Sequence, residues 1–372
     1  MSRPLRLIFV LGLAGASLAL VAWAFAQLPI EQRGYAIDWK QLWADTRLFT
    51  ANYDGKGLFN PPWVLPLLWP LSALPLAFSW AVLGFATLNL LILSVPRQPG
   101  RISWLAGVAL VVLSYPALRQ LIDGNLEVLV IGGGLLILWA LPRQHTLGMA
   151  AGMLLAAAKI QESWLLLGVA AILIAREWAP RQWLRGLGWG ALLAGPLLLL
   201  YGRDWWLSNL SFTRIWPGTP VDSSIYGLLL RFGLPTWLWV LAAAFILGAG
   251  FWIARRRGLT LGRLDAGWLL AAGLLLAPYA ASNSVLTVLA IGVIPLFQRW
   301  PLAGLALIFL YDLPLLTGGN AELRLAWEAS YWTLVLFLSW GVLLFMPRRE
   351  EGEGNASQGT GTGKRATSVP AG

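Results

Sequence analysis

The chain has 372 residues, of which 58% are hydrophobic and 12% charged, with a formal net charge of +10. Soluble domains carry about half apolar and about a quarter charged residues, so this balance marks an integral membrane protein and excludes an ordinary soluble enzyme; its long uncharged runs, taken as crossing helices, make the expected fold all-α. Cysteine is absent and histidine occurs once, at His145, which removes disulfides, thiolate metal centres, cysteine nucleophiles and histidine clusters.

No charge separates Arg6 from Glu31. A crossing helix needs about 20 apolar residues, so the first span is expected from Leu7 to about Leu28. The run exceeds the apolar core of a cleavable signal and lacks a clear small-residue cleavage site, which favours a retained signal-anchor helix. Next comes an acidic and aromatic segment, 34-GYAIDWKQLWADTRLFTANYDGKGLFNPPW-63, and then the proline-rich 61-PPWVLPLLWPLSALP-75. Its prolines argue against a straight helix before about Leu76, so an irregular entry against protein or a wet cavity should lead into a span at 76–95.

Further uncharged runs lie at 102–118, 128–142, 144–158, 163–175, 186–202, 232–254, 266–298, 300–311 and 329–347. The run 266–298 is split by 277-APYAASNS-284, which reads as a turn between two helices. The two short runs around Lys159 are expected to enter and leave on one side as a re-entrant pair. About 10 to 12 transmembrane or re-entrant helices result at about 20 residues per crossing. They form one polytopic domain over 1–347, and the low-complexity tail 348–372 reads as disordered.

Basic residues cluster at the ends of apolar runs, which is topology information rather than a nucleic-acid surface. Loops at 97–101, 143–145, 176–185, 255–263 and 299, with both termini, form an arginine-rich side read as cytoplasmic. Loops 29–60 and 203–231 fall on the opposite side.

Asp38, in 35-YAIDW-39, sits among Tyr35, Trp39 and Trp43. A carboxylate beside aromatic faces can bind a sugar and accept the proton of its hydroxyl. The same letters also suit a solvated loop with an interfacial aromatic belt. Lys159, flanked by alanines, is costly in lipid and should face protein or water; an ion pair with Glu162 on the same helical face is its simplest explanation. Its expected depth, in the cytoplasmic half, keeps it away from chemistry on the other side unless the re-entrant pair reaches deep, which makes it a second-rank candidate. Asp54 suits an Asp-Gly turn, His145 a solvated loop, and Asp45 has no assigned role.

The order of several pieces resembles glycosyltransferase family 87. They are an acidic residue after the first span, Tyr53 ahead of Phe59, Pro61 and Pro62, then Gly124-Asn125 opening a helix, 148-GMAAGMLLAAAK-159 ending in Lys159, 221-VDSSIYGLLLRFGLP-235, and the turn at 277–284. The resemblance implies a C-type glycosyltransferase-like multi-helix bundle with an active site on the extracytoplasmic face of the plasma membrane. It implies an inverting transfer of a hexose, mannose by resemblance, from a polyprenyl-phosphate donor to a lipid or glycan acceptor of the cell envelope. Asp38 would be the base. Candidates for the donor phosphate are Arg119, Arg203, Arg231 and Lys159, and for substrate lining Tyr35, Trp39, Tyr53, Asn125 and Asn283; each arginine equally suits a snorkelling interface residue. No cofactor or divalent metal is expected, because arginines can serve the leaving phosphate.

The chain departs from that pattern by lacking the glutamine before Asn125 and by carrying Asn283 and Ser284 where many relatives have charged groups. A degenerate family member and a lipid or solute transporter therefore stand as alternatives, with Asp312 and Lys159 the intramembrane ionisable residues a transporter would use.

Overall fold

The computed structural model describes residues 3–28, 30, 34–53, 58–97, 101–215, 217–317 and 321–347. The expected turn at Asp54 and the expected disordered tail lie outside them. Of the described residues 81% are helical, and no strand forms among them. Among the described residues, five helical stretches are long and apolar enough to cross a membrane, by length and composition alone: Leu76–Ser94, Thr146–Glu177, Pro180–Leu210, Leu238–Arg257 and Ser282–Arg299.

The first half comprises α1 (Arg3–Ala26), α2 (Ile37–Thr46), α3 (Leu65–Ser72), α4 (Leu76–Ser94), α5 (Arg101–Val112), α6 (Tyr115–Asp123), α7 (Glu127–Ala140), α8 (Thr146–Ala156) and α9 (Ile160–Glu177). The second comprises α10 (Pro180–Ile215), α11 (Ile225–Arg231), α12 (Leu238–Arg257), α13 (Arg263–Leu276), α14 (Val285–Val288), α15 (Ile294–Arg299), α16 (Pro301–Asp312) and α17 (Ala321–Phe345). A π-helical stretch, Leu289–Val293, joins α14 to α15.

Two expectations about local structure change. The proline-rich entry is less irregular than its composition suggests: a 3-10 turn, Pro62–Val64, leads into α3, which keeps helical form through Pro70. Proline near a helix start loses only a bond that has no partner there, so Pro66 fits, and α3 stops soon after Pro70. The segment 203–231 is not one loop either, because α10 continues to Ile215 and carries Arg203 within it. At 1.5 Å per residue its 36 residues span about 54 Å, longer than the roughly 30 Å of bilayer hydrocarbon, so one end must project.

The stretch Thr146–Glu177 doubles back. Gln144 Nε2 donates to the carbonyl of Glu177 at 3.3 Å and Trp178 Nε1 to that of Leu141 at 3.3 Å. A straight helix of 32 residues would hold its ends about 48 Å apart. The reversal is the 3-10 turn Ala157–Lys159, where Lys159 leaves helical geometry at φ −132° and ψ 79°. The two arms splay rather than pack on each other: α8 lies on α7 and α10, and α9 lies on α13. Small residues let α8 approach closely, since a Cβ on Gly152 would sit 3.0 Å from the backbone nitrogen of Ile137 on α7.

The arginine-bearing loops meet on one face, as their charge predicts. Arg263 donates to the carbonyl of Ser94, Gln298 to Pro96 at 3.0 Å, Arg176 to Leu259 at 3.2 Å and Arg257 to Leu344 at 3.0 Å. These donors occupy carbonyls at or just beyond helix C-termini, where positive charge is also favourable. At the centre is α13, buried from Leu264 to Leu276, as a helix apolar on all sides should be. In contrast α10 exposes Leu187, Leu192, Leu199 and Leu200, the pattern of a lipid-facing helix.

Candidate functional site

The ends of α6, α7, α9 and α13 away from the basic loops converge with α2. Asp38 lies in the first turn of α2, and Trp39 sets its direction. The Trp39 ring is fully buried and its Nε1 donates to Ser79 Oγ on α4 at 2.8 Å. The residue before the helix, Ala36, is also buried, adopts a left-handed conformation at φ 49°, and donates its N–H to the carbonyl of Ile122 at 2.7 Å. A left-handed alanine is strained, and it persists here because α6 holds its own N–H and α4 holds Trp39 one turn further on.

Two asparagines reach Asp38 from other segments. Asn125 Nδ2 donates to Asp38 Oδ2 at 2.6 Å, and Asn283 Nδ2 approaches the same oxygen at 3.5 Å. Asn125 is aimed by its own Oδ1, which accepts the N–H of Leu126 at 2.6 Å, and by Gly124, which ends α6 in the left-handed region at φ 70°. Among the described residues no donor reaches Asp38 Oδ1, and the side chain is part-exposed. Burial pushes the Asp38 carboxyl above its ordinary value; Lys159, the Asn125 hydrogen bond and Arg119 pull it back, and Glu127 adds to the rise.

Lys159 is not confined to the arginine-rich half, as its expected depth required. The hairpin carries it to the start of α7, where its ammonium bonds Glu127 and lies 3.5 Å from Glu162. Ser284 Oγ is 2.5 Å from Glu162 Oε1 and 3.3 Å from Glu127 Oε1. Both glutamates are fully buried, and Oε2 of each lacks a hydrogen-bond partner. The predicted Lys159–Glu162 pair exists, but Glu127, 32 positions away, is the closer partner. Sequence reasoning missed it, although a glutamate opening an otherwise apolar helix was a visible signal.

The remaining candidates separate. Arg119 pairs with Asp123 at 3.0 Å, keeps 33% of its side chain exposed, and acts on Asp38 electrostatically. Arg203 is exposed on α10. Arg231 is committed to structure: it donates to Ser330 Oγ at 2.8 Å and to the carbonyls of Thr219 and Asp222 at 3.0 and 2.7 Å. Trp39 is core, with no ring face left for a sugar. Tyr35 packs part-buried against the same cluster. Tyr53 donates to the carbonyl of Asn60 at 3.0 Å, and burial raises its phenol. That bond orders the 58–63 segment, whose Asn60 and Trp63 donate to the hairpin carbonyls of Ala158 and Leu154 at 3.3 and 2.8 Å.

Other polar residues are structural. Asp222 accepts the N–H groups of Gly218, Ser224 and Ala280, each at 3.0 Å, and so ties its loop to the turn that carries Asn283. Asp312 accepts from the N–H of Tyr115 at 2.8 Å, capping α6 where it bends 50° from α5. Asp45 accepts from Gln41 Nε2 at 3.2 Å, and His145 caps α8 by accepting from Gly148 N–H at 3.0 Å. An apolar cavity of about 250 Å³ lies between α11, α13 and α17, bordered by Leu228, Leu275, Thr333 and Phe337. No group of three or more metal-ligating side chains gathers among the described residues. Comparison with known protein families, with curated proteins and with solved structures gives no match to the chain.

Proposed function

We propose that the chain is a membrane glycosyltransferase of the C-type architecture, resembling family 87, which moves a hexose from a polyprenyl-phosphate donor to an acceptor hydroxyl. One observation carries this reading: Asp38 is part-exposed and no donor among the described residues reaches its Oδ1, while its Oδ2 is held by two asparagines from separate segments. Fixing one oxygen and freeing the other is what a general base needs.

In this mechanism Asp38 Oδ1 takes the proton of the acceptor hydroxyl as the acceptor oxygen bonds the anomeric carbon. The bond from that carbon to the donor phosphate breaks on the opposite side, which inverts the centre, and polyprenyl phosphate leaves with the bonding pair. Arg119 is the candidate cation best suited to the leaving phosphate, being accessible and within electrostatic reach of Asp38. The cavity between α11, α13 and α17 offers room for part of an isoprenoid chain. On this reading the basic face is cytoplasmic, the protein lies in the plasma membrane, and transfer occurs on the far side.

The test is incubation of the purified protein in nanodiscs with labelled polyprenyl-phosphate mannose and a panel of lipid and glycan acceptors, scored by product mass. Asp38→Asn should lower transfer by about 10² to 10⁴ with no loss in the unfolding midpoint. Full activity in that variant removes Asp38 as the base. A second reading, a lipid or solute transporter, draws on the buried Lys159–Glu127–Glu162 cluster at the tip of a broken helix. Proteoliposome uptake without product formation would select it.

A further inference from the structure

Two facts about chain connectivity link the buried ion cluster to Asp38. Asn125, which holds Asp38, lies two residues before Glu127, and Asn283, which also reaches it, directly precedes Ser284. Glu127 and Ser284 both belong to the cluster around Lys159. We propose that Lys159 and Glu127, tied together by Glu162 and Ser284, are positioning residues for Asp38: their ion pair fixes the two asparagines that cradle it and sets the electrostatic field at its carboxylate. This rests on the reading of Asp38 as the base.

The cluster is costly as a stabiliser. An ion pair withdrawn from water recovers little more than its desolvation cost, and apolar residues of similar size often do as well. What the pair supplies is a fixed distance between three separate segments. Lys159 sits on a reversal that is itself braced, since Ser163 Oγ donates to the carbonyl of Ala156 at 2.7 Å and Asn60 donates to that of Ala158. Glu127 opens α7, and Ser284 ends the turn that Asp222 ties down. With the ammonium removed, Glu127 and Glu162 cannot both stay ionised in one buried site, so the charge that ties the three segments is lost and the asparagines beside them lose their spacing.

The field has a sign that a purely structural role would not produce. From α6, Arg119 and Asp123 are the charged groups near Asp38; from α7, Glu127; from the hairpin, Lys159 and Glu162. The late turn adds Tyr279, α2 itself carries Lys40 and Asp45, and the turn after it carries Arg47, whereas α3 and α4 contain no charged residue. Beyond burial, Lys159 has the largest influence on Asp38 and favours its ionised form, and Glu127 is next and opposes it.

The experiment is an infrared pH titration of the full-length protein in lipid nanodiscs, following the carboxyl band that disappears in Asp38→Asn. Lys159→Gln should move its midpoint to higher pH and Glu127→Gln to lower pH, each by about one pH unit. Lys159→Arg should stay close to wild type. The double variant Glu127→Gln/Lys159→Gln leaves neither member of the pair charged, so it remains usable if the single variants fail to fold. Its midpoint should lie above wild type, because the pull of Lys159 exceeds the push of Glu127. Unmoved midpoints, shifts of the same sign in the two single variants, or a double variant at or below wild type would each overturn the proposal. No substrate is involved, so a protein that shows these shifts yet transfers no sugar refutes the transferase reading alone.

Discussion

Gly124→Ala tests whether the close approach of α2 and α6 supports the site. At φ 70° an alanine is strained by about 1 kcal/mol. Its Cβ would also lie 2.6 Å from Trp39 Cβ and 3.2 Å from Trp80 Cδ1. Trp39 and Trp80 are fully buried and hydrogen-bonded, to Ser79 and to the carbonyl of Leu121, so neither has a free direction in which to withdraw. Overpacking of this kind costs about 1 to 3 kcal/mol, which brings the total to about 2 to 4 kcal/mol. Gly233→Ala is the control: its φ of 63° imposes similar strain, but no atom lies within 4 Å of the added Cβ, so about 1 kcal/mol is expected. Unfolding titrations in mixed micelles compare the two. Equal losses would refute the packing argument, and retained transfer in a destabilised Gly124→Ala would separate the packing from the placement of Asn125.

Because burial raises the Asp38 carboxyl from its ordinary 3.8, the base form is lost at higher pH than for an exposed aspartate, and the acid limb of a transfer–pH profile should be displaced upward. Asn125→Ala removes a donor to the ionised form and should push that limb higher still. The same raised value means that the contribution of Asp38 to folding is fully present below its unfolded value and lost as pH rises through the folded one; Asp38→Asn should therefore gain stability over wild type as pH rises, read from unfolding midpoints across a pH series. Arg231→Met should cost about 1 to 2 kcal/mol through lost hydrogen bonds and speed proteolysis within 217–224, with Asp38 titration unaffected.

Much of the architecture was legible because its signals are local. Charge at the ends of apolar runs identified the loops that share one face, and the polar knot at 277–284 marked a turn. The re-entrant pair around Lys159 followed from charge sidedness alone. Its depth did not follow, because Glu127 and Ser284 are distant in sequence and nothing local measures how far a hairpin penetrates. Trp39 shows the limit of composition: beside an acidic residue it suits a sugar platform, yet its partner Ser79 lies 40 residues away and makes it core. Arg231 was ambiguous for the same reason, since two of its acceptors are backbone carbonyls that carry no side-chain signature and the third, Ser330, lies 99 residues away. Asn125 and Asn283 entered the sequence reading only through resemblance, as substrate-lining candidates; their contact with Asp38 carried no sequence signal, because asparagine has no distinctive pattern of its own.

The hairpin also constrains the order of biosynthesis. The α8 arm has 11 residues, too few for the roughly 20 that let a segment partition into lipid on its own, and the α9 arm begins beside a charged lysine and glutamate. Neither arm can leave the translocon for bare lipid without stranding those charges. When Lys159 emerges, Glu127 on α7 has already been made and can neutralise it, but Ser284 and the buried face of α13 are more than a hundred residues from synthesis. The hairpin must therefore wait, sheltered by α7 or by insertion factors, until the late helices arrive to close over it. Truncations that end before α13 should leave this segment open to protease or to thiol-reactive probes at an engineered Ala158→Cys, long after the earlier helices are protected.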